Sequence, residues 1–260
     1  MIRLATFSTT ALALSLSTAA AAPALGLAGD RTLIMFDTDT LAVTGTMEAQ
    51  GVERLHGLDL RSSDNSVIGV TGDNRIVTID PSTGETAELS VMDTALTAGD
   101  MPVIVDVNPM ADRLRLMSGT TNHRVNMDTG EVTVDGALNW TEDDANSEAV
   151  PMVVASGYTN SHGKPEATAM YNIDAGLGAL LQQIAPNDGT LATIGLLNAG
   201  ASGNTMAFDV QGDADGNNMA WLLTGNALYS VDLETGTTIE KGPIERAEGD
   251  IRDFAVLPAM

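Results

Sequence analysis

The sequence predicts an all-β fold, a five-bladed β-propeller built from four-stranded antiparallel blades. A short unit recurs five times, in which apolar residues alternate with polar ones, an Asp follows, and a turn ends in Gly, usually as Thr-Gly. A second pair of strands precedes most copies by about twenty residues, so the module is about 40 to 50 residues long, the size of a propeller blade. A β-sandwich is the rival architecture, but it does not require so regular a repeat.

The recurring unit combines a half-buried strand with a hairpin turn. Its copies are LIMFDTDTLAVTG from Leu33, RIVTIDPSTGE from Arg75, HRVNMDTGE from His123, AMYNIDAGLGA from Ala169 and ALYSVDLETGT from Ala227. Alternation with a period of two is typical of a strand with one covered face. In the turn, Gly suits the position that needs a positive φ, and the Asp side chain bonds to the turn backbone.

The preceding strand pair marks where each blade begins. Its copies are HGLDLRSSDNSVIGV from His56, IVDVNPMADRLRLMS from Ile104, VVASGYTN from Val153 and MAFDVQGDADGNNMAWLL from Met206. These place the starts of four blades near residues 55, 103, 152 and 204, with PNDGTLATIGLL adding a further strand to the blade that starts near 152. The fifth blade is split, because residues 31–47 supply only later strands and IRDFAVLPAM from Ile251 supplies a first strand. We therefore expect N- and C-terminal strands to pair and close the ring.

The amino end has the pattern of a secretory signal peptide. Arg3 precedes an apolar run from Leu4 to Leu16, and small residues at Ala19 and Ala21 favour cleavage after residue 21. An uncleaved anchor is disfavoured because this run is short and contains several Ser and Thr. Residues 1–21 are thus predicted to be a signal peptide and residues 22–260 a single propeller domain. We expect a periplasmic or secreted protein with no membrane span after cleavage.

Composition excludes several kinds of partner and site. The chain has no Cys, so it has neither disulfides nor thiolate metal ligands. Only 12 Lys and Arg stand against 35 Asp and Glu, a net charge of −23. Nucleic acid and anionic lipid bind through basic side chains, so we expect neither as a partner. An unknown small molecule or an envelope protein is the expected partner.

Three aspartates recur at the same place in the first strands of their blades, namely Asp59, Asp106 and Asp209. In one interpretation they form a ring of carboxylates around the axial channel, able to hold a cation or to act as general acid and base. In the other, each Asp caps its own blade turn by accepting backbone N–H groups. We favour the second interpretation, because catalytic residues usually appear once, where the repeat is broken.

The repeat is broken in the third blade, where Arg113 and Arg115 replace apolar strand residues. A period of two sends both arginines to one face and Leu114 and Leu116 to the other. The guanidinium groups then either pair with carboxylates of a neighbouring blade or help to form a donor-rich pocket for an anionic or polyhydroxyl ligand. The predicted ligand-binding residues are Arg113, Arg115, Asn122, Arg124, Asn126, Tyr158, Asn160, Asn187 and Asp188.

No cofactor is predicted, and calcium is the one metal that the sequence brings into consideration. GDADGNN from Gly212 places Asp213, Asp215 and Asn217 at alternate positions, like the start of a calcium loop, but the later Glu of such a loop is missing. A polar hairpin tip explains the same residues. The three His residues have no zinc or copper spacing, and nucleophile-elbow and phosphate-loop motifs are absent from the sequence.

Several of these motifs resemble, in order and spacing, a bacterial family known as domain of unknown function 4394. The third-blade stretch of that family corresponds here to Asp106-Val-Asn108-Pro109, Asp112-Arg113-Leu-Arg115 and Asn122-His-Arg124, with Val107 in place of an aromatic residue. The resemblance covers nearly all of the predicted mature chain. It implies propeller-like repeats and no particular activity.

Three functions remain open from the sequence. The favoured hypothesis is an extracytoplasmic propeller that acts as a ligand-binding or protein-interaction module, because no catalytic set is recognisable. The second is a hydrolase or lyase that acts on a carbohydrate or lactone in the axial pocket, with Asp59, Asp106 and Asp209 as acid and base. The third is a structural subunit of a cell-envelope complex.

Overall fold

The computed structural model describes residues 22–96, 99, 101–199 and 205–258. In this part of the chain, 21 β-strands form five separate sheets, so the predicted five-bladed propeller is confirmed. The predicted signal peptide, residues 1–21, lies outside the described residues. Among the residues described, no helix has the length and apolarity needed to cross a membrane.

Blade 1 closes the ring by joining the two ends of the chain. It contains β1 (Pro23–Ala28), β2 (Thr32–Asp37), β3 (Val43–Glu48) and β21 (Ile251–Val256). The order in the sheet is β21-β1-β2-β3, and β21 pairs antiparallel with β1, with Phe254 opposite Gly26. The expected pairing of terminal strands is confirmed, and β1 adds a strand that the sequence analysis did not assign.

Blades 2, 3 and 5 are four-stranded antiparallel meanders. Blade 2 contains β4 (Leu55–Arg61), β5 (Ser66–Thr71), β6 (Arg75–Ile79) and β7 (Thr86–Val91). Blade 3 contains β8 (Ile104–Asn108), β9 (Arg113–Ser118), β10 (Thr121–Val125) and β11 (Val132–Val134). Blade 5 contains β17 (Met206–Gly212), β18 (Asn218–Thr224), β19 (Ala227–Val231) and β20 (Thr238–Pro243). Each starts within two residues of the predicted position.

Blade 4 departs from the repeat. It contains β13 (Val153–Tyr158), β14 (Met170–Asp174), β15 (Ala179–Ala185) and β16 (Thr190–Leu196), and a fifth short strand, β12 (Asn139–Trp140), runs parallel to β16. The copy of the repeat from Ala169 contains β14 and the turn to β15, so its turn lies between the second and third strands, whereas the turns of the other copies lie between the third and fourth. The position of this copy within the blade was therefore wrong by one strand, whereas the further strand expected in PNDGTLATIGLL is confirmed as β16, which follows the last turn of the blade at 185–189.

The repeated turns have the predicted conformation with two local exceptions. Gly84, Gly130, Gly178 and Gly236 all adopt a positive φ between 61° and 76°. In blade 1 the equivalent position is Leu41, with a φ of 60°, so the Thr-Gly of this copy is not in the turn but inside β3. In blade 3 the side chain that accepts the turn N–H belongs to Asn126, not to the Asp two residues later.

The innermost strands β21, β4, β8, β13 and β17 pack side by side in a closed ring around the axis. Their side chains are nearly all buried, whereas those of the outermost strand β3 alternate between half-buried and exposed. Five apolar clusters fill the five junctions between adjacent blades. Blade-to-blade packing, rather than a central core, therefore supplies most of the buried apolar surface.

Replacing Gly130 by Ala tests the packing of a repeat turn against its neighbour. Gly130 has a φ of 74°, and an added Cβ would overlap the carbonyl oxygen of Val91 in blade 2. We expect Gly130→Ala to lower the free energy of unfolding by about 2 kcal/mol or more, measured by urea titration. Gly225→Ala is the matched control, since its φ is 56° but open space surrounds the added Cβ. Equal losses for the two variants would contradict this packing.

Candidate functional site

At the junction between blades 3 and 4, blade 3 directs arginine side chains toward blade 4. On β9, Leu114 and Leu116 belong to the apolar cluster shared with blade 2. Arg113 and Arg115 lie on the opposite face of this strand, as the period of two predicts, and they face blade 4. In the register, Arg115 stands between Asp106 of β8 and Arg124 of β10.

Arg115 is buried, with 1% of its surface exposed, and it holds the two blades together. Its Nε donates to the Tyr158 hydroxyl at 3.3 Å and its Nη2 to Asn187 Oδ1 at 3.2 Å, both in blade 4. Its Nη1 donates to Asn122 Oδ1 at 2.8 Å and to Asp135 Oδ2 at 2.7 Å. Arg115 is therefore ion-paired, which is one of the two alternatives that the sequence left open. The carboxylate that binds it, Asp135, belongs to blade 3 itself and not to the neighbouring blade.

Asp135 neutralises two arginines at once. Its Oδ2 accepts Arg115 Nη1, and Arg124 binds both of its oxygens through Nε at 2.6 Å and Nη2 at 3.0 Å. Burial opposes ionisation of this carboxyl, but the hydrogen bonds from Arg124 and Arg115 outweigh burial and hold the pKa of Asp135 below its usual range. The carboxylate is therefore ionised at neutral pH, and the group of three side chains carries a net charge of +1.

The last turn of blade 4 closes over this group. The Asn122 side-chain amide donates to the Pro186 carbonyl oxygen at 2.9 Å, and the Gly136 N–H donates to the Asn187 carbonyl oxygen at 2.8 Å. Gln183 also stabilises this turn, because its side-chain amide donates to the same Pro186 oxygen at 2.9 Å. The one-strand shift of the repeat in blade 4 is what places this turn against blade 3.

A cleft of about 560 Å³ opens between the two blades beside these residues. Its walls come from the turn after β8, from β9 and β10, and from the ends of β13, β14 and β15. The residues that line it are Asn108, Met110, Ala111, Arg113, Leu114, Arg115, Arg124, Tyr158, Thr168, Ala169, Met170, Gln182, Gln183, Ile184, Ala185, Pro186, Asn187 and Asp188. This volume suits a small organic ligand.

Most of the predicted ligand-binding residues meet at this cleft. Those that line it are Arg113, Arg115, Arg124, Tyr158, Asn187 and Asp188, and Asn122 lies behind them, bonded to Arg115. Besides Asn122, two predicted residues do not belong to the lining. Asn126 caps the turn between β10 and β11, and Asn160 bonds to Asn218 of blade 5.

Arg113 differs from its neighbours because no carboxylate binds it in the described part of the chain. Its Nη1 donates to the carbonyl oxygen of the adjacent Asp112 at 3.0 Å, and no ion pair of Arg113 is found among the described residues. The carboxylate of Asp112 instead binds Arg61 of blade 2. A half-buried guanidinium group thus faces the cleft with most of its donors free.

Sequence reasoning missed the partner of the arginines and much of the opposite wall. Asp135 lies one residue beyond β11 and continues the ladder opposite Asn122, whose carbonyl oxygen accepts the Asp135 N–H at 2.9 Å, so its side chain lies on the face of the blade that carries Arg115 and Arg124. Gln183 and Ile184 were hidden because the strand that carries them was assigned to the wrong place in blade 4. Met110 lies in the turn between Asn108 and Arg113, and its closeness in sequence to Arg113 could have indicated that it lines the same cleft.

The recurring aspartates bind the next blade. Asp59 Oδ2 accepts the Val107 N–H at 2.6 Å, Asp106 accepts the Ser156 hydroxyl at 2.8 Å, and Asp209 accepts the Val256 N–H at 2.7 Å. The expectation that each caps its own blade turn was wrong, since an inner strand is so close to its neighbour that the carboxyl reaches across the junction.

A fourth aspartate, Asp253 of β21, completes the set and was missed. Its Oδ2 accepts the Leu58 N–H at 2.8 Å. Gly57 makes room for this contact, because a Cβ there would overlap the Asp253 carboxyl group. The sequence contained the signal, since Arg-Asp-Phe of the carboxyl-terminal first strand aligns with Leu-Asp-Leu around Asp59.

Burial raises the pKa of all four carboxyl groups. For Asp59 the charges of Asp106 and Asp209 add to burial, and the pKa lies well above its usual range. The pKa values of Asp106 and Asp209 are raised by burial as well. For Asp253, burial outweighs the Leu58 hydrogen bond and raises the pKa to about 8.

None of these aspartates lines the cleft between blades 3 and 4. Within the described ranges, no group of three or more His, Asp or Glu side chains has the arrangement to hold a metal ion. In the candidate calcium loop, Asp213 accepts the N–H groups of Asp215 and Asn217 at 2.9 and 2.8 Å, so its carboxylate caps a polar turn.

Comparisons with known proteins agree with the fold. A family model described as Domain of unknown function (DUF4394) matches residues 32–255, which confirms the resemblance inferred from the motifs. No curated protein matches the chain.

Solved structures of low sequence identity also match the chain. A protein of unknown function from Bacteroides thetaiotaomicron matches with 14% identity and a TM-score of 0.50, over 89% of this chain and 63% of its own length. A protein of unknown function from Bacteroides caccae matches with 12% identity and a TM-score of 0.43, over 88% and 76% of the two chains. A calcium-binding protein, regucalcin, from Agrobacterium tumefaciens matches with 14% identity and a TM-score of 0.47, over 88% and 72%. At such identities the likeness concerns the fold alone.

Removing the Asp253 carboxyl group tests whether the raised pKa of a buried aspartate makes the stability of the protein depend on pH. Its pKa in the folded state, about 8, exceeds the ordinary value of 3.8, so its contribution to stability is fully present below pH 3.8 and is lost as the pH rises toward 8. Because Asp253 keeps partial exposure, we expect wild type to lose about 1 to 2 kcal/mol more than Asp253→Asn between pH 5 and pH 9.

Urea unfolding at both pH values measures this difference. Phe254→Leu is the control, since it weakens the adjacent core without removing a carboxyl and should keep the wild-type dependence on pH. Identical pH dependence in wild type and Asp253→Asn would contradict the assignment.

Removing the charge of Asp135 should destabilise the junction strongly. Asp135→Asn leaves Arg115 buried without its counter-charge, and we expect a loss of about 3 kcal/mol in the free energy of unfolding. Asp128→Asn is the matched control, because Asp128 is 58% exposed and its partner Arg61 keeps Asp112. We expect this control to change stability by less than about 1 kcal/mol. Similar losses for both would show that Arg115 does not depend on Asp135.

Proposed function

Since the chain belongs to the family described as Domain of unknown function (DUF4394), its function has to be argued from the site, and we propose that it is a binding module. The cleft between blades 3 and 4 takes a small anionic or polyhydroxyl ligand. The observation that carries this proposal is Arg113, whose guanidinium group borders the cleft without a carboxylate among the described residues.

The charge of the cleft supports this proposal. In a chain of net charge −23, three arginines line one cleft, and the carboxylates that line it or bind these arginines are Asp188 and Asp135. Three positive and two negative charges leave an excess of one positive charge. Such a site attracts an anion that the rest of the surface repels.

The rigidity of the site also supports binding. Arg115, Tyr158 and Asn187 are held in a hydrogen-bonded group that joins the two blades, so one wall of the cleft does not need to be ordered when a ligand arrives. A preorganised site loses less conformational entropy on binding.

We propose that the protein works in the periplasm or outside the cell. The sequence pattern of residues 1–21 supports this location. We propose no calcium site at Asp213, because its carboxylate accepts the N–H groups of Asp215 and Asn217 in its own turn. The hydrogen bonds of Asp59, Asp106 and Asp209 to adjacent blades support a structural role for these carboxyl groups rather than acid–base chemistry.

Arg113→Gln tests the proposal directly. Titration calorimetry with gluconate, glucuronate, inorganic phosphate and hexanoate measures which of these probes bind to the purified protein. We expect Arg113→Gln to weaken the binding of any anionic probe at least tenfold, about 1.4 kcal/mol, because a charge-assisted hydrogen bond is lost.

The matched control is Arg54→Gln. Arg54 is 59% exposed, lies outside the cleft and pairs with Asp30 at 3.6 Å, so its loss should leave the affinity unchanged. Binding that is unaffected by Arg113→Gln, or the absence of binding by every probe, would overturn the proposed function.

A further inference from the structure

The cleft is lined by exposed apolar side chains as well as by arginines. Among the described residues, eight large apolar side chains are exposed, and two of them, Met110 and Ile184, line this cleft. Met110 is 42% exposed and comes from the turn after β8, whereas Ile184 is 51% exposed and comes from β15. Each wall of the cleft therefore offers one apolar side chain that a ligand can cover.

Most of the uncharged polar side chains of the cleft already make hydrogen bonds to backbone groups or to Arg115. Six uncharged polar side chains line it, and five of them already take part in hydrogen bonds within the protein, namely Asn108, Tyr158, Thr168, Gln183 and Asn187. A polyhydroxyl ligand needs several free partners for its hydroxyl groups. Gln182 is the one of these six side chains for which the described part of the chain shows no hydrogen bond, so the other five would have to bind such a ligand with the donors and acceptors that their present bonds leave.

An aromatic platform for a sugar ring is also missing from the lining. Tyr158 is the single aromatic residue there, only 2% of its surface is exposed, and its hydroxyl accepts the Arg115 Nε–H. Its ring is therefore packed inside the junction, where it cannot stack on a ligand. The lining favours a ligand whose body is apolar.

From these observations we infer that the cleft binds an organic monocarboxylate with an aliphatic body, an inference that rests on the proposed function and narrows its ligand class. Arg113 binds the carboxylate, and the excess of one positive charge matches a single negative charge. The apolar body covers Met110 and Ile184. Oxygen atoms of the carboxylate accept the guanidinium N–H groups as a bidentate pair.

A series of linear acids tests the inference on the purified protein. We expect the dissociation constants of acetate, butyrate, hexanoate and octanoate to fall about two- to fourfold for each added methylene until the cleft is filled, because each buried methylene contributes about 0.8 kcal/mol. Hexanamide has the same body without the charge, and we expect it to bind at least tenfold more weakly than hexanoate. Arg113→Gln should remove this difference between acid and amide.

Ile184→Ser tests the apolar wall separately from the arginine. We expect this variant to reduce the gain per methylene while leaving the affinity for acetate unchanged. Ile239→Ser is the matched control, since Ile239 is 66% exposed on β20 of blade 5 and lies outside the cleft. The control should retain the full chain-length dependence.

The outcomes separate this inference from the proposed function. Binding of gluconate that depends on Arg113, without binding of hexanoate, would overturn the inference and leave the proposed function standing. Equal affinity for acetate and octanoate would also overturn the inference. If no acid and no gluconate bound, both would be overturned.

Discussion

The hydrogen bonds by which inner-strand aspartates hold the next blade are the interaction on which the ring depends. An inner strand has protein on both sides, so its polar groups must find partners across the junction. Asp253, Asp59 and Asp209 each accept a backbone N–H of the following blade, while burial raises the pKa of each of these carboxyl groups. The repeat of Asp in the sequence therefore reflects contact between blades.

Blade 4 interrupts this pattern, and the interruption creates the cleft. Its inner strand carries Ser156 where the others carry Asp, so Asp106 of blade 3 binds a hydroxyl rather than a backbone N–H. The repeat motif of blade 4 is shifted by one strand, which brings the turn at Pro186 over Arg115. A site thus arises where two departures from the repeat meet at one junction.

The group formed by Arg115, Asp135 and Arg124 explains why two adjacent arginines on one strand differ in role. Asp135 neutralises Arg115 inside the junction, where an unpaired charge would carry a large desolvation penalty. Arg113 lies closer to the open end of the cleft, and it keeps partial contact with solvent instead of a carboxylate. The free guanidinium group is tolerated because water can still reach it, and for the same reason a ligand can replace that water.

The sequence by itself determined the five blades, the starts of their first strands, the aspartate positions and the separation of Arg113 and Arg115 from Leu114 and Leu116. These features follow from strand periodicity and turn chemistry, which act over a few residues. Only the tertiary structure decided that Asp135 pairs with Arg115, that Arg113 has no carboxylate partner among the described residues, and that Ile184 and Met110 line the same cleft. Such partners are separated by up to 74 positions along the chain, from Met110 to Ile184. The meeting of Met110 and Ile184 depends on which blades are adjacent and on the one-strand shift in blade 4, and no local pattern encodes either.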